Sequence, residues 1–166
     1  MSRKLGMSGH QRPNIGHSQE WHTPPELLAV LGPFDDDPCT PGFVDGLQRE
    51  WRGFVWLNPP YTRELGSWLQ RLADHGNGIA LIFARTETRI FFDWVWSRAD
   101  AILFLKRRLH FYLNGLRAKG NAGAPSCLVA YGSMAVGRLA TSNLVGPLVT
   151  KWHVNQEKSL DARSRL

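Results

Sequence analysis

A chain of 166 residues that is 43% apolar, with seven Trp and eight Phe, has the size of one domain and too much apolar and aromatic mass for a disordered segment. Its only two cysteines, Cys39 and Cys127, lie far apart, its six His show no metal spacing, and no apolar run approaches the ~20 residues of a membrane span, so a disulfide framework, a metal site and a membrane anchor are all set aside. With no membrane span or signal-peptide core a soluble, cytoplasmic protein is expected, and 20 Lys and Arg against 14 Asp and Glu, a formal charge of +6, favour a polyanionic partner such as nucleic acid.

Residues 1–19 are rich in Gly, Ser, His and cations and read as a mobile arm. Order is expected from Trp21. Thr23-Pro24-Pro25-Glu26 reads as a helix start, with Thr23 as cap, Pro24 at the first helical position and Glu26 completing a capping box. Leu27, Leu28, Val30 and Leu31 follow, and Gly32 is the stop. Phe34 to Asp37 reads as a short strand that ends in acidic residues, and the Pro38–Gly42 turn after it as a loop facing a ligand.

Gly53–Leu57 is a buried strand that stops at Asn58-Pro59-Pro60-Tyr61. A helix from about Thr62 follows, with Leu65, Trp68, Leu69 and Leu72 on one side and Gly76 as the stop. Ile79–Phe83 is a second buried strand, Thr88–Ser97 a helix, Ala101–Leu105 a third strand, and Arg108–Leu113 a further extended segment. Residues 114–125, with Gly115, Gly120, Gly123 and Pro125, read as a flexible basic loop carrying Arg117 and Lys119. Ser126–Tyr131 is a fourth strand. A short helix and one more strand within Leu144–Trp152 follow, and the end of the chain reads as a frayed polar tail. The organisation expected is an arm over 1–19, one domain over 20–154 and a tail over 155–166.

Strands alternating with helices predict an α/β fold with a largely parallel sheet. Such sheets bind ligands outside the carboxyl ends of their strands. The Asp37-Pro38 and Asn58–Tyr61 turns are both expected there.

The Asn58–Tyr61 turn suits one chemical problem. An exocyclic amine on an aromatic ring is a poor nucleophile, because its lone pair is delocalised into the ring. Two acceptors, the Asn58 side-chain oxygen and the Pro59 carbonyl held rigid by Pro60, would orient its hydrogens and favour a pyramidal nitrogen. Tyr61 offers a face for a flipped base. Catalysis of this kind is positioning and electrostatics, with no strong base. The competing reading is a tight Pro turn with Asn58 as a local cap.

The chain resembles the phage-type DNA N6-adenine methyltransferases, from about Trp21 to Gly132. The landmarks run in family order. They begin with Trp21-His22-Thr23-Pro24-Pro25-Glu26, Asp35-Asp36-Asp37-Pro38-Cys39 and Asp45-Gly46-Leu47 with Trp51. Asn58-Pro59-Pro60-Tyr61, Ala84-Arg85-Thr86-Glu87-Thr88, Arg108-Leu109-His110-Phe111 and Ser126-Cys127-Leu128-Val129-Ala130-Tyr131-Gly132 complete them. The resemblance implies a compact Rossmann-like methyltransferase sheet, mostly parallel with an antiparallel edge and abbreviated relative to full-length relatives. It implies S-adenosylmethionine as cofactor, DNA as partner, and a monomer or homodimer in a bacterial or phage-infected cell.

By that resemblance Asn58, Pro59, Pro60 and Tyr61 are catalytic. Trp21 packs on the cofactor, Thr23 and Pro24 meet its methionine end, and Asp37-Pro38, with Asn58 beside them, holds its ammonium or a bound water. The family's acidic motif usually reads Asp-Pro-Phe-x-Gly, and this chain has only Gly42 after Pro38. For DNA the candidates are Tyr61, Arg85, Thr86, Lys106, Arg107, Arg108, Phe111, Arg117 and Lys119. Thr88 reads equally as a helix cap, and Phe111 as core. No metal ligand set is expected. The same tetrapeptide serves enzymes that methylate cytosine N4 or protein glutamine. A DNA-binding domain that keeps the fold without catalysis is the reading from another class.

Overall fold

The computed structural model describes residues 21–40, 45–113 and 115–155. The expected N-terminal arm and all but the first residue of the expected tail lie outside the described residues. In chain order the elements are β1 (Trp21–His22), α1 (Pro25–Leu31), β2 (Val55–Leu57), α2 (Leu65–His75), β3 (Gly78–Phe83) and α3 (Arg89–Phe91). Then come β4 (Ala101–Phe104), β5 (Tyr112–Leu113), β6 (Leu116–Arg117), β7 (Ser126–Tyr131), α4 (Ser133–Thr141) and β8 (Leu148–Val149).

The uninterrupted apolar runs make strands covered on both faces. Five of them form one sheet in the order β2-β3-β7-β4-β8. Alternation along the strands sorts the side chains into two cores. Val55, Leu57, Ala80, Ile82, Cys127 and Val129 pack against Trp68, Leu69 and Leu72 of α2 and Phe91 of α3. Trp56, Ile79, Leu81, Leu128 and Ala130 pack against Leu27 and Leu31 of α1 and Ala135 and Leu139 of α4. The result is three layers, with helices on both sheet faces.

The expectation of a mostly parallel sheet with an antiparallel edge is corrected. β2 and β3 are parallel, but β7 is antiparallel to both β3 and β4, and β8 is antiparallel to β4. The reversed strand β7 is interior, inserted between β3 and β4 on the return from the β5–β6 excursion. A fully buried strand of either direction reads as the same apolar run, so direction left no mark on the sequence. Since β7 opposes both neighbours, β2, β3 and β4 still point the same way and end at one edge.

Several local expectations also shift. Pro24, not Thr23, is the α1 N-cap position, no side chain caps it, and Pro25 is the first helical residue. α2 begins at Leu65 rather than Thr62, and ends at Gly76 in the left-handed region at φ 70, as its position after the apolar periodicity predicted. The Thr88–Ser97 helix is a short α-turn that widens into a π-helical turn over Phe92–Trp96. The stretch expected as a flexible basic loop holds β6, and its Ala122 and Ala124 are buried. β1, β5 and β6 form a second, three-stranded antiparallel sheet.

Among the described residues no helix is long and apolar enough to cross a membrane.

Candidate active site

The Phe34–Asp37 segment lies along β2 as a single parallel bridge, Asp36 opposite Val55. The Asp35 N–H donates to the Phe54 carbonyl at 2.8 Å, and the Trp56 N–H to the Asp36 carbonyl at 2.9 Å. Parallel pairing sends both segments out at the same sheet edge. Asp37-Pro38 and Asn58-Pro59 therefore both run toward the edge where β2, β3 and β4 end, the edge at which open α/β sheets bind ligands.

The two acidic residues at this edge differ in their surroundings. Asp36 takes both guanidinium nitrogens of Arg49, at 2.7 and 2.5 Å, and that bidentate pair holds its carboxyl below the ordinary value. Asp37 is half-buried and has no cation within ion-pair distance among the described residues. Its Oδ1 accepts the Cys39 N–H at 3.2 Å, and burial pushes its carboxyl above the ordinary value. One carboxylate is committed to the fold, while the other is desolvated and, among the described residues, in no ion pair.

A framed loop stands behind them. Arg71 of α2 donates to the carbonyls of Leu47 and Arg49, and its guanidinium lies 5.2 Å from the centroid of the Trp51 ring. The Trp51 indole N–H donates to the Gly46 carbonyl at 2.6 Å. Gly46 presses on the Pro38 carbonyl so closely that a Cβ there would collide with it. Arg49 and Arg71 belong to no motif, and only their ion-pair and carbonyl geometry reveals that they hold this wall.

In the tetrapeptide, Asn58 is half-buried, Pro59 buried, and Pro60 and Tyr61 exposed. The turn closes with the Thr62 N–H on the Pro60 carbonyl at 2.9 Å. Among the described residues neither the Asn58 amide nor the Pro59 carbonyl has a hydrogen-bond partner, so Asn58 caps nothing. The Tyr61 ring is 45% exposed and stacks on Phe83, with centroids 4.1 Å apart and planes 11° apart. Phe83 covers one face of the ring. The crowding around the phenol raises its pKa above the ordinary value. A cavity of about 110 Å³ opens beside it, lined by Tyr61, Phe83, Arg85, Leu65 and Ile90 among others.

Thr23 is buried and its hydroxyl accepts the Trp56 indole N–H at 3.2 Å, two residues before Asn58. This bond replaces the expected helix cap and ties the N-terminal segment to the end of β2. A larger cavity of about 280 Å³ opens at the start of α1, lined by Pro24, Glu26, Arg108, His110, Arg117 and Leu144 among others. Neither cavity is lined by Asn58 or Asp37. Of Trp21 only the backbone, in β1, is described.

The remaining candidates fall into two groups. Arg85, Lys106, Arg107, Arg108, Arg117 and Lys119 are exposed, and among the described residues none is in an ion pair. Arg108 reaches only the Ala122 and Gly123 carbonyls, at 3.4 and 3.3 Å. Thr88 and Phe111 serve the fold, as does the backbone of Thr86. The Thr86 carbonyl accepts the Trp96 indole N–H at 3.2 Å, Thr88 caps α3 by accepting the Phe91 N–H at 3.3 Å, and Phe111 packs on the second core. No group of three His, Cys, Asp or Glu able to hold a metal ion comes together among the described residues. Comparison with family models, curated proteins and solved structures returns no match for this chain.

Proposed function

We propose that this chain is an S-adenosylmethionine-dependent methyltransferase that modifies the exocyclic N6 amine of adenine in DNA, on an abbreviated Rossmann-like sheet. The observation that carries the reading is the pair of acceptors at the end of β2. Among the described residues the Asn58 amide and the Pro59 carbonyl have no hydrogen-bond partner, and they precede an exposed Tyr61 at the edge where β2 ends. Acceptors fixed by a Pro-Pro turn and left unused by the fold are what an amine substrate needs.

The residues at this edge fit the cofactor on one point of chemistry. Asp37, half-buried and with no ion-pair partner among the described residues, suits the ammonium of the methionine end, while the Arg49 pair keeps Asp36 from competing. Thr23, already accepting the Trp56 N–H, keeps its own hydroxyl hydrogen for a carboxylate. When bound, S-adenosylmethionine would supply an electrophilic sulfonium methyl carbon with a neutral thioether as its leaving group. The chain's part is orientation. Asn58 Oδ1 and the Pro59 carbonyl each accept one N–H, which turns the nitrogen lone pair out of the ring plane. The Tyr61 ring, exposed over part of its surface, stacks the base. The proton surplus on the methylated amine passes to solvent.

Incubation with methyl-labelled cofactor and DNA, followed by nucleoside analysis, tests the proposal. Label in N6-methyladenine is expected. Label in N4-methylcytosine would move the reading to another amine, label only in protein to glutamine, and no cofactor heat in calorimetry to a DNA-binding domain without catalysis.

A further inference from the structure

An amine inside a duplex is out of reach of any acceptor pair, so a DNA reading of this site requires that the base leave the stack. We infer that the β5–β6 ribbon is the device that empties the stack. Leu116 enters between base steps as an apolar wedge while the cations around it hold the phosphates. This rests on the reading of the chain as a DNA methyltransferase.

An exposed Leu alone means little. Here the setting decides. Leu116 is 75% exposed, the highest value among the large exposed apolar residues. It sits in β6, a paired strand. Leu113 pairs with Leu116 across the turn, Gly115 between them takes φ 76, and β5 pairs in turn with β1. Behind the tip the Ala118 N–H donates to the Phe111 carbonyl at 2.8 Å, and the Ala122 N–H to the Leu109 carbonyl at 2.6 Å. The wedge is therefore presented on a hydrogen-bonded ribbon anchored to β1, as prying bases apart requires.

The surroundings are complementary to a polyanion. Lys106, Arg107, Arg108, Arg117 and Lys119 all fall between residues 106 and 119, a stretch with no Asp or Glu. Val145, 65% exposed, adds a second apolar group at the base of this strip, its carbonyl accepting the Lys106 N–H at 2.9 Å. Apolar residues interleaved with phosphate-binding cations are the pattern of proteins that kink and unstack DNA. The ribbon also borders the catalytic edge. Arg117 lines the same cavity as Pro24, next to Thr23, whose hydroxyl is bonded to Trp56 of β2.

The test reads unstacking and methyl transfer separately on one fully paired duplex of mixed sequence. Permanganate reactivity of thymines reports unstacking, anisotropy reports binding, and labelled cofactor reports transfer. Wild type is expected to bind and to make thymines reactive. Leu116→Ala is expected to bind within about threefold, since the phosphate contacts remain, with reactivity and duplex methylation down at least about tenfold. Its methylation of single-stranded DNA is expected unchanged, and Leu116→Met should restore the duplex activity. Equal unstacking by wild type and Leu116→Ala, or an equal loss on single and double strands, would overturn the wedge. So would failure of wild type to bind DNA, or a wild-type dimer that Leu116→Ala dissolves. Transfer without unstacking sinks the wedge alone, and unstacking without transfer sinks the methyltransferase reading alone.

Discussion

Replacing Thr23 with Val removes a hydroxyl while keeping the side-chain volume, and the structure fixes what that costs. The Trp56 indole N–H, on a residue 1% exposed, has the Thr23 hydroxyl as its acceptor at 3.2 Å. Without it a buried donor is left unsatisfied, a loss of about 1–3 kcal/mol. For a chain of this size that corresponds to a fall in melting temperature of roughly 3–10 °C, read by circular dichroism. Thr23→Ser keeps the acceptor and loses one methyl group, at most about 1 kcal/mol. In a Trp56→Phe background, which has no donor, the extra cost of Val should vanish. Calorimetry of cofactor binding gives the second half. Thr23→Ser should bind like wild type and Thr23→Val about tenfold more weakly, the worth of one hydrogen bond. A Thr23→Val protein that melts with the wild type, or one that loses as much stability in the Trp56→Phe background, would refute the reasoning.

Three further outcomes follow from the site. Asn58→Ala should lower kcat by about 10²–10³, the effect of removing one preorganised polar group, with stability changed by less than about 0.5 kcal/mol because the amide has no partner to lose; thermal melts and single-turnover kinetics check both. At neutral pH Asp37→Asn should stabilise the cofactor-free protein and weaken cofactor binding. The Asp37 pKa is raised in the fold, so its ionised form opposes folding, and the gain from Asn should shrink as pH falls through that raised value. Asp36 has the opposite sign. Its lowered pKa adds stability above the ordinary carboxylate value that is lost as pH falls below it, and urea titrations of Asp36→Asn across acid pH measure that. If the five cations of the 106–119 stretch all meet phosphates, the log–log salt slope of duplex binding should approach about −4.5, and Arg117→Ala should reduce its steepness by about 1.

The apolar runs and the helix stop carried most of the fold. Val55–Leu57, Ile79–Phe83, Ala101–Phe104 and Ser126–Tyr131 are strands where unbroken hydrophobicity put them, and Gly76 ends α2 where the periodicity stops. Strand direction was not encoded locally. It is set by which neighbour β7 inserts beside, a tertiary choice that Cys127–Ala130 would satisfy either way up. The ribbon was there to be read. Asn114-Gly115 between Tyr112-Leu113 and Leu116-Arg117 is the strongest short hairpin signal, outweighed in the sequence by the glycines that follow it. The candidate site was found through chemistry. The Asn58 and Asp37 turns both lie toward one edge, but the Arg49, Arg71 and Trp51 frame beside them depends on contacts across 13 to 24 residues that no spacing predicts.

The most direct measurement is mass spectrometry of nucleosides from the DNA of cells expressing either the wild-type chain or Asn58→Ala. Two rigid acceptors acting on an adenine amine predict N6-methyladenine above background with the wild type and background alone with the variant. Equal levels in the two, or none with a wild-type protein shown to be folded, would contradict the account.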